Sequence, residues 1–150
     1  EGDLTLTQSA VIQYHVAEKT GKFLGSDPNE VMRWVMFDNH KLSGQVGTAR
    51  FLQNFIPPEK RPQPVIDFLM ARLKTAYRTL DTHLTERHWV ADDTFTIADA
   101  ACCGYLFYPE PFGFDRAEWP NIDRWLDGIA ALPGWKHPYD LMPGNPTDRA

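Results

Sequence analysis

A mainly helical bundle with one short strand at its front is the fold this sequence predicts, and three observations carry that expectation. Apolar residues recur every three or four positions over most of the 150 residues, most regularly from Val65 to Leu84. Prolines, acidic caps and glycines punctuate that pattern into separate helices. Only Leu4-Thr5-Leu6-Thr7, after the turn Glu1-Gly2-Asp3, alternates as a strand does. A lone strand has no ladder to satisfy its backbone groups, so the sequence reads as a piece of something longer.

The elements follow in order. Gln8 to Glu18 spaces Val11, Tyr14 and Ala17 as a short helix with Gly21 as its stop, and a linker runs on to Ser26. Asp27-Pro28-Asn29-Glu30 combines an acceptor at the N-cap, proline at the first helical position and a glutamate placed for a capping box. The helix it opens holds Val31, Trp34, Val35 and Leu42 on one face, with an interruption expected near Gly44 or Gly47 ahead of Phe51 to Ile56. After Pro57 and Pro58, the prolines Pro62 and Pro64 precede the most regular helix, with Val65, Leu69, Leu73, Ala76, Leu80 and Leu84 as its inward face. Trp89 to Phe95 is a loop. Thr96-Ile97-Ala98-Asp99 opens a helix that is apolar on nearly every side through Phe107, the pattern of a central buried helix. Pro120 starts the last clear helix, with Ile122, Trp125, Leu126 and Ile129 inward and Pro133-Gly134 as its stop, and the tail from Trp135 is read as irregular coil.

Composition excludes several classes. The formal charge of −5 is mild and the basic residues are scattered, which disfavours nucleic acid as a partner. No run approaches the roughly 18 apolar residues of a membrane span. The two cysteines, Cys102 and Cys103, are adjacent, which offers neither a disulfide framework nor a zinc spacing and suits a reducing, cytoplasmic setting. The histidines show no i, i+4 pair and no His-Glu-x-x-His, so no metal is expected. Ser9 lies in no nucleophile elbow, and no glycine-rich phosphate loop occurs.

Three segments together resemble the cytosolic glutathione transferases. Leu6-Thr7-Gln8-Ser9-Ala10-Val11-Ile12 with Tyr14 is similar to the strand-to-helix junction that closes the family's thioredoxin-like domain. Asp93-Thr94-Phe95-Thr96-Ile97-Ala98-Asp99 resembles the capping box and hydrophobic staple of its central helix. Trp119-Pro120-Asn121-Ile122 through Leu132-Pro133-Gly134-Trp135 resembles its last conserved helix and stop. The sequence departs from the family at His15, after Tyr14, and at Val11, where alanine is usual.

The resemblance implies residues 1–20 as the end of a thioredoxin-like glutathione-binding domain, 21–26 as a linker and 27–150 as an all-helical C-terminal domain. It implies a transferase that conjugates the glutathione thiolate to a hydrophobic electrophile, with glutathione as co-substrate, no metal and a homodimeric, cytoplasmic protein. Gln8 and Ser9 are then the binding residues for the gamma-glutamyl end of glutathione. Free amides and the dipole at a helix N-terminus favour such a carboxylate, although Ser9 as a plain helix cap is the alternative. The electrophile cleft is expected between the helix after Asp27 and the helix after Thr96, with Phe37, Tyr105 and Tyr108 as walls and Lys41 as a polar contact; a solvated helix face is the other reading of Lys41. Thr96 and Asp99 are structural. In the family the thiol-activating residue lies in the segment before this sequence starts, so no catalytic residue is assigned and the chain alone is expected to be inactive. The rival reading is a non-catalytic docking unit, like the transferase-like domains of elongation factor 1 gamma and some aminoacyl-tRNA synthetases; the Gln8-Ser9 pair favours the enzyme.

Overall fold

The computed structural model describes residues 2–142. The chain is a mainly helical bundle, and among the described residues no strand forms. Leu4 to Thr7 is coil instead of the expected strand, because among the described residues no second strand offers it a ladder.

Helix α1 (Ser9–Thr20) starts from the Gln8 carbonyl, which accepts the Ile12 N–H at 3.0 Å, and closes where the amides of Gly21 and Lys22 bond back to Glu18 and Ala17. It buries only Ala10 and Ala17; Val11 and Tyr14 stay exposed. Helix α2 (Pro28–Phe37) is capped by the Asp27 carboxylate, which accepts from the amides of Asn29 and Glu30. The Asp27-Pro28 signal therefore acts through local hydrogen bonds, and the helix buries Val31, Trp34 and Val35.

The interruption expected near Gly44 takes a specific form. Asp38–Ser43 winds as a wide π-helical turn, after which α3 (Gly44–Asn54) continues. Such turns insert a residue into the helical register and recur at functional sites. Helix α4 (Gln63–His83) buries Ile66, Leu73, Ala76, Tyr77 and Leu80, whereas Val65 is exposed and Leu69 half-buried. Its inward face is thus set one residue away from Val65. Leu84 is buried in the short 3-10 turn that follows.

Helix α5 (Ile97–Cys103) is shorter than expected. Bonds from Gly104 to Ala101 and from Leu106 to Cys103 tighten the chain into i to i+3 turns, so Tyr105, Leu106 and Phe107 lie beyond the helix. Helix α6 (Pro120–Ala130) buries Ile122, Trp125, Leu126 and Ile129. The tail is not all coil: Pro138–Leu141 forms the single turn α7, and residues 143–150 lie outside the described part. One core joins α2, α4, α5 and α6, with Trp34, Tyr77, Phe112 and Trp125 as its largest buried side chains. Among the described residues no helix is long and apolar enough to cross a membrane.

A cavity between helix α1 and the turn after helix α5

Helix α5 is held at its start by a buried carboxylate. Asp99 Oδ2 accepts from the Thr96 N–H at 2.9 Å and the Thr96 hydroxyl at 3.1 Å, and the Thr96 hydroxyl oxygen accepts from the Ala98 N–H at 3.2 Å. The capping box read from the sequence is therefore present. It reaches further than a cap, because Asp99 Oδ1 accepts from the Val90 N–H at 2.8 Å and from the Trp125 indole at 2.9 Å, joining α5 to the preceding loop and to α6. Burial raises the Asp99 carboxyl above its ordinary pKa while those hydrogen bonds pull it down. Every oxygen is occupied by protein donors, which leaves Asp99 a structural group.

That anchor fixes the turn carrying Tyr105 and Tyr108. Their rings lie 6.0 Å apart, and together with Ser9 at the start of α1 they line a cavity of about 390 Å³. Helix α1 adds Gln13, whose Oε1 is buried with no partner among the described residues. The π-turn contributes Asp38 and Ser43, and α3 contributes Arg50. None of these four was singled out in the sequence reading. The available signals were the family resemblance, which sets residues 37–44 beside the cleft, and the Gly44 and Gly47 break, which announces an irregular turn and leaves its sense of rotation open.

The polar wall is well defined. Asp38 Oδ1 accepts from the Ser43 hydroxyl at 2.8 Å; burial pushes the Asp38 carboxyl up to about 6, against the lowering effect of the Ser43 hydroxyl and amide. The Arg50 guanidinium lies 4.3 Å from the Tyr108 ring centre, pairs with Glu110 at 3.3 Å and donates to the Tyr139 hydroxyl at 2.6 Å. Tyr139 itself donates to Glu110, so the one-turn helix α7 is tied to the back of the cavity wall. Half-buried arginine and glutamate held this way form a rigid support.

Gln8, the residue before Ser9, is exposed and adopts φ 69°, ψ 117°, a left-handed backbone rare for any residue but glycine. Gln8 is the N-cap position of α1, and among the described residues no side chain caps that helix end. Its first amides therefore face outward without a side-chain acceptor.

Not all of the residues expected in one cleft are brought together. Ser9, Tyr105 and Tyr108 share the cavity, while Phe37 and Lys41 line a separate groove of about 280 Å³ against Arg72, Thr75 and Thr79 of α4. Phe37 packs its edge on Trp34 at 4.9 Å, and Lys41 is exposed. The adjacent cysteines are unreactive by environment: burial pushes Cys102 well above its ordinary value and Cys103 up to about 12, so both stay thiols at neutral pH. Among the described residues no group of histidine, cysteine, aspartate and glutamate is placed to hold a metal ion.

By fold, then, the chain is a mainly helical bundle whose central helix is pinned by a buried capping carboxylate. The family model of the glutathione S-transferase C-terminal domain matches residues 48–133, more than half of the chain, and the chain belongs to that family. It is 27% identical over 143 residues to the glutathione S-transferase GstB of Escherichia coli strain K12, covering 89% of this chain and 66% of that protein. Its fold is similar to the crystal structure of a glutathione S-transferase from Xanthobacter autotrophicus Py2, with a TM-score of 0.81 and 28% identity over 96% of this chain and 68% of the other. It is also similar to a glutathione transferase from Burkholderia graminis solved with two glutathione molecules bound per subunit, with a TM-score of 0.78 and 28% identity over 87% of this chain and 57% of the other. The chain thus spans slightly less than two thirds of the length of the curated relatives it matches.

Proposed function

We propose that this chain is the electrophile-binding helical part of a glutathione transferase, together with the end of its glutathione-binding domain. In this reading residues 1–20 close the thioredoxin-like domain, 21–26 link the two and 27–150 form the helical domain. The observation that carries it is the cavity in which Ser9, at an uncapped helix N-terminus, faces Tyr105 and Tyr108. The free amides and the Ser9 hydroxyl suit a carboxylate such as the gamma-glutamyl end of glutathione. The strained Gln8 backbone supports the same reading, because such conformations persist where a site over-determines them. The two tyrosine rings, with Arg50 behind them, supply an aromatic wall for a hydrophobic electrophile. Phe37 and Lys41 then belong to a neighbouring groove and are not proposed as electrophile contacts.

Within this reading glutathione is the co-substrate, the protein is a cytoplasmic homodimer, and the thiol-activating group comes from outside the chain. In the full-length protein Ser9→Ala is expected to weaken glutathione binding by about 1.5 to 3 kcal/mol, the worth of one hydrogen bond to a charged group, with the fold intact. Calorimetric titration measures this directly. Equal affinities in the two proteins would reduce Ser9 to a helix residue with no part in binding and return the docking-unit reading to first place.

A further inference from the structure

Helix α1 carries Ser9, yet its own packing holds it weakly. It buries two alanines and leaves Val11, Ile12, Tyr14 and Val16 between 37% and 50% exposed. A 12-residue helix is marginal in water on its own, and two methyl groups are too little apolar burial to fix its position. The segment that follows is fastened elsewhere. The Phe23 carbonyl accepts the Ile97 N–H, the first amide of α5, at 3.0 Å, and the Phe23 ring stands edge-on to Phe95 with centres 6.1 Å apart. Three residues later the Ser26 N–H donates to Asp92 Oδ2.

The backbone is bent to make these contacts. Phe23 has φ 68°, in the left-handed region that a bulky residue avoids unless its surroundings impose it. Gly25 has φ 66°, and a Cβ there would stand 2.7 Å from Asp92 Oδ2, so a glycine is what lets the carboxylate reach the Ser26 amide.

We propose that Asp92 and Phe23 are positioning residues, clasping the linker to the start of α5 so that α1 holds Ser9 over the cavity. The linker is then a fixed strap between the two halves of the site and no hinge. Only the consequence for ligand binding rests on the glutathione reading; the clasp itself is tested on the 150-residue chain.

The test is amide hydrogen exchange, resolved by segment, on the wild-type chain and on Asp92→Ala, Asp92→Asn and Gly25→Ala. Asp92→Ala is expected to speed exchange in residues 10–26 at least tenfold while α4 and α6 keep their protection. Asp92→Asn retains an acceptor oxygen and is expected to restore most of the protection, and Gly25→Ala, which crowds the carboxylate from the other side, is expected to behave as Asp92→Ala does. Unchanged exchange in α1, or equal loosening of α4 and α6, would overturn the proposal, and Gly25→Ala decides the matter should Asp92→Ala fail to fold. A second arm uses the full-length protein: Asp92→Ala is expected to raise the KM for glutathione several-fold with kcat little changed, and Asp92→Asn to rescue it. If that protein does not bind glutathione at all, the glutathione reading fails while the exchange result stands. If it binds and KM is unmoved by a loosened α1, the positioning role fails.

Discussion

Asp99 begins as a capping residue in the sequence and ends as a core residue in the structure. Its loss as a cap alone costs about 0.5 to 2 kcal/mol. With the Val90 amide and the Trp125 indole also bonded to it, Asp99→Ala strands four donors in a dry interior, and the expected cost rises to about 3 to 5 kcal/mol. Urea melts of the two proteins measure the difference; a loss of less than about 2 kcal/mol would show the two additional bonds to be energetically silent. Asp38 has the opposite sign. Its folded pKa of about 6 stands above its ordinary value, so the folded state holds the proton more tightly than the unfolded chain does. That advantage is complete below about pH 4, declines as pH rises toward 6, and above 6 the buried carboxylate weighs fully against the fold. Asp38→Asn is therefore expected to stabilise the chain by about 1 to 3 kcal/mol at pH 7.5 and by nearly nothing at pH 4, a contrast read from urea midpoints at the two values. A gain independent of pH would remove ionisation as its cause.

At the scale of elements the informative piece is the π-turn at Asp38–Ser43. Residues five apart on an α-helix point roughly 140° away from each other, yet Asp38 and Ser43 meet at 2.8 Å because the turn is wider. Periodicity assumes one constant angle per residue, so it gives no sign of this meeting, and the resemblance that implies Phe37 and Lys41 at the cleft assigns Asp38 no role. On α4 the same logic fails more gently: Val65 and Ile66 both fit a helical step from Leu73, and only the neighbouring helices choose Ile66. Gly47 on α3 offers a direct test of packing against propensity. A Cβ there would sit 3.0 Å from the Tyr105 hydroxyl oxygen. Gly47→Ala gains about 1 kcal/mol of helix propensity against that crowding. In a Tyr105→Phe background the crowding atom is gone, and the full gain of about 1 kcal/mol is expected. A double-mutant cycle reads the coupling; a value of zero would mean that Tyr105 withdraws from Gly47 without cost.

The 150-residue chain is expected to fold on its own. Helices α2 and α5 carry side-chain caps and α2, α4, α5 and α6 bury a common core, so thermal unfolding followed by circular dichroism should be cooperative. Catalysis is a different matter, since in the proposed reading this chain holds only the end of the glutathione-binding domain. A conjugation assay with a generic electrophile is expected to show no rate above background for this chain. Turnover well above the uncatalysed reaction would place a thiol-activating group within these 150 residues and overturn that expectation. Exposed Val11, Tyr14 and Met36 on α1 and α2 should also make the chain self-associate, which light scattering detects in the same samples.

The sequence by itself determined where helices begin and end at Asp27, Thr96 and Pro120, because caps and N-terminal prolines act on amides within the first turn. It determined the inward face of α6, whose stripe of Ile122, Trp125, Leu126 and Ile129 admits no second register. It also carried the family resemblance, since three local motifs survive in order along the chain. Only the tertiary structure decided that Ser9 meets Tyr105 and Tyr108, nearly a hundred residues away, and that Phe37 and Lys41 do not join them. Only it decided that the Ser26 amide bonds to Asp92 and that Leu4 to Thr7 forms no strand. The physical reason is one of range. Caps and periodicity are read within a turn or two of helix, whereas a cavity depends on the summed rotation of every intervening element, and one inserted residue at Asp38–Ser43 turns all that follows by about 100°.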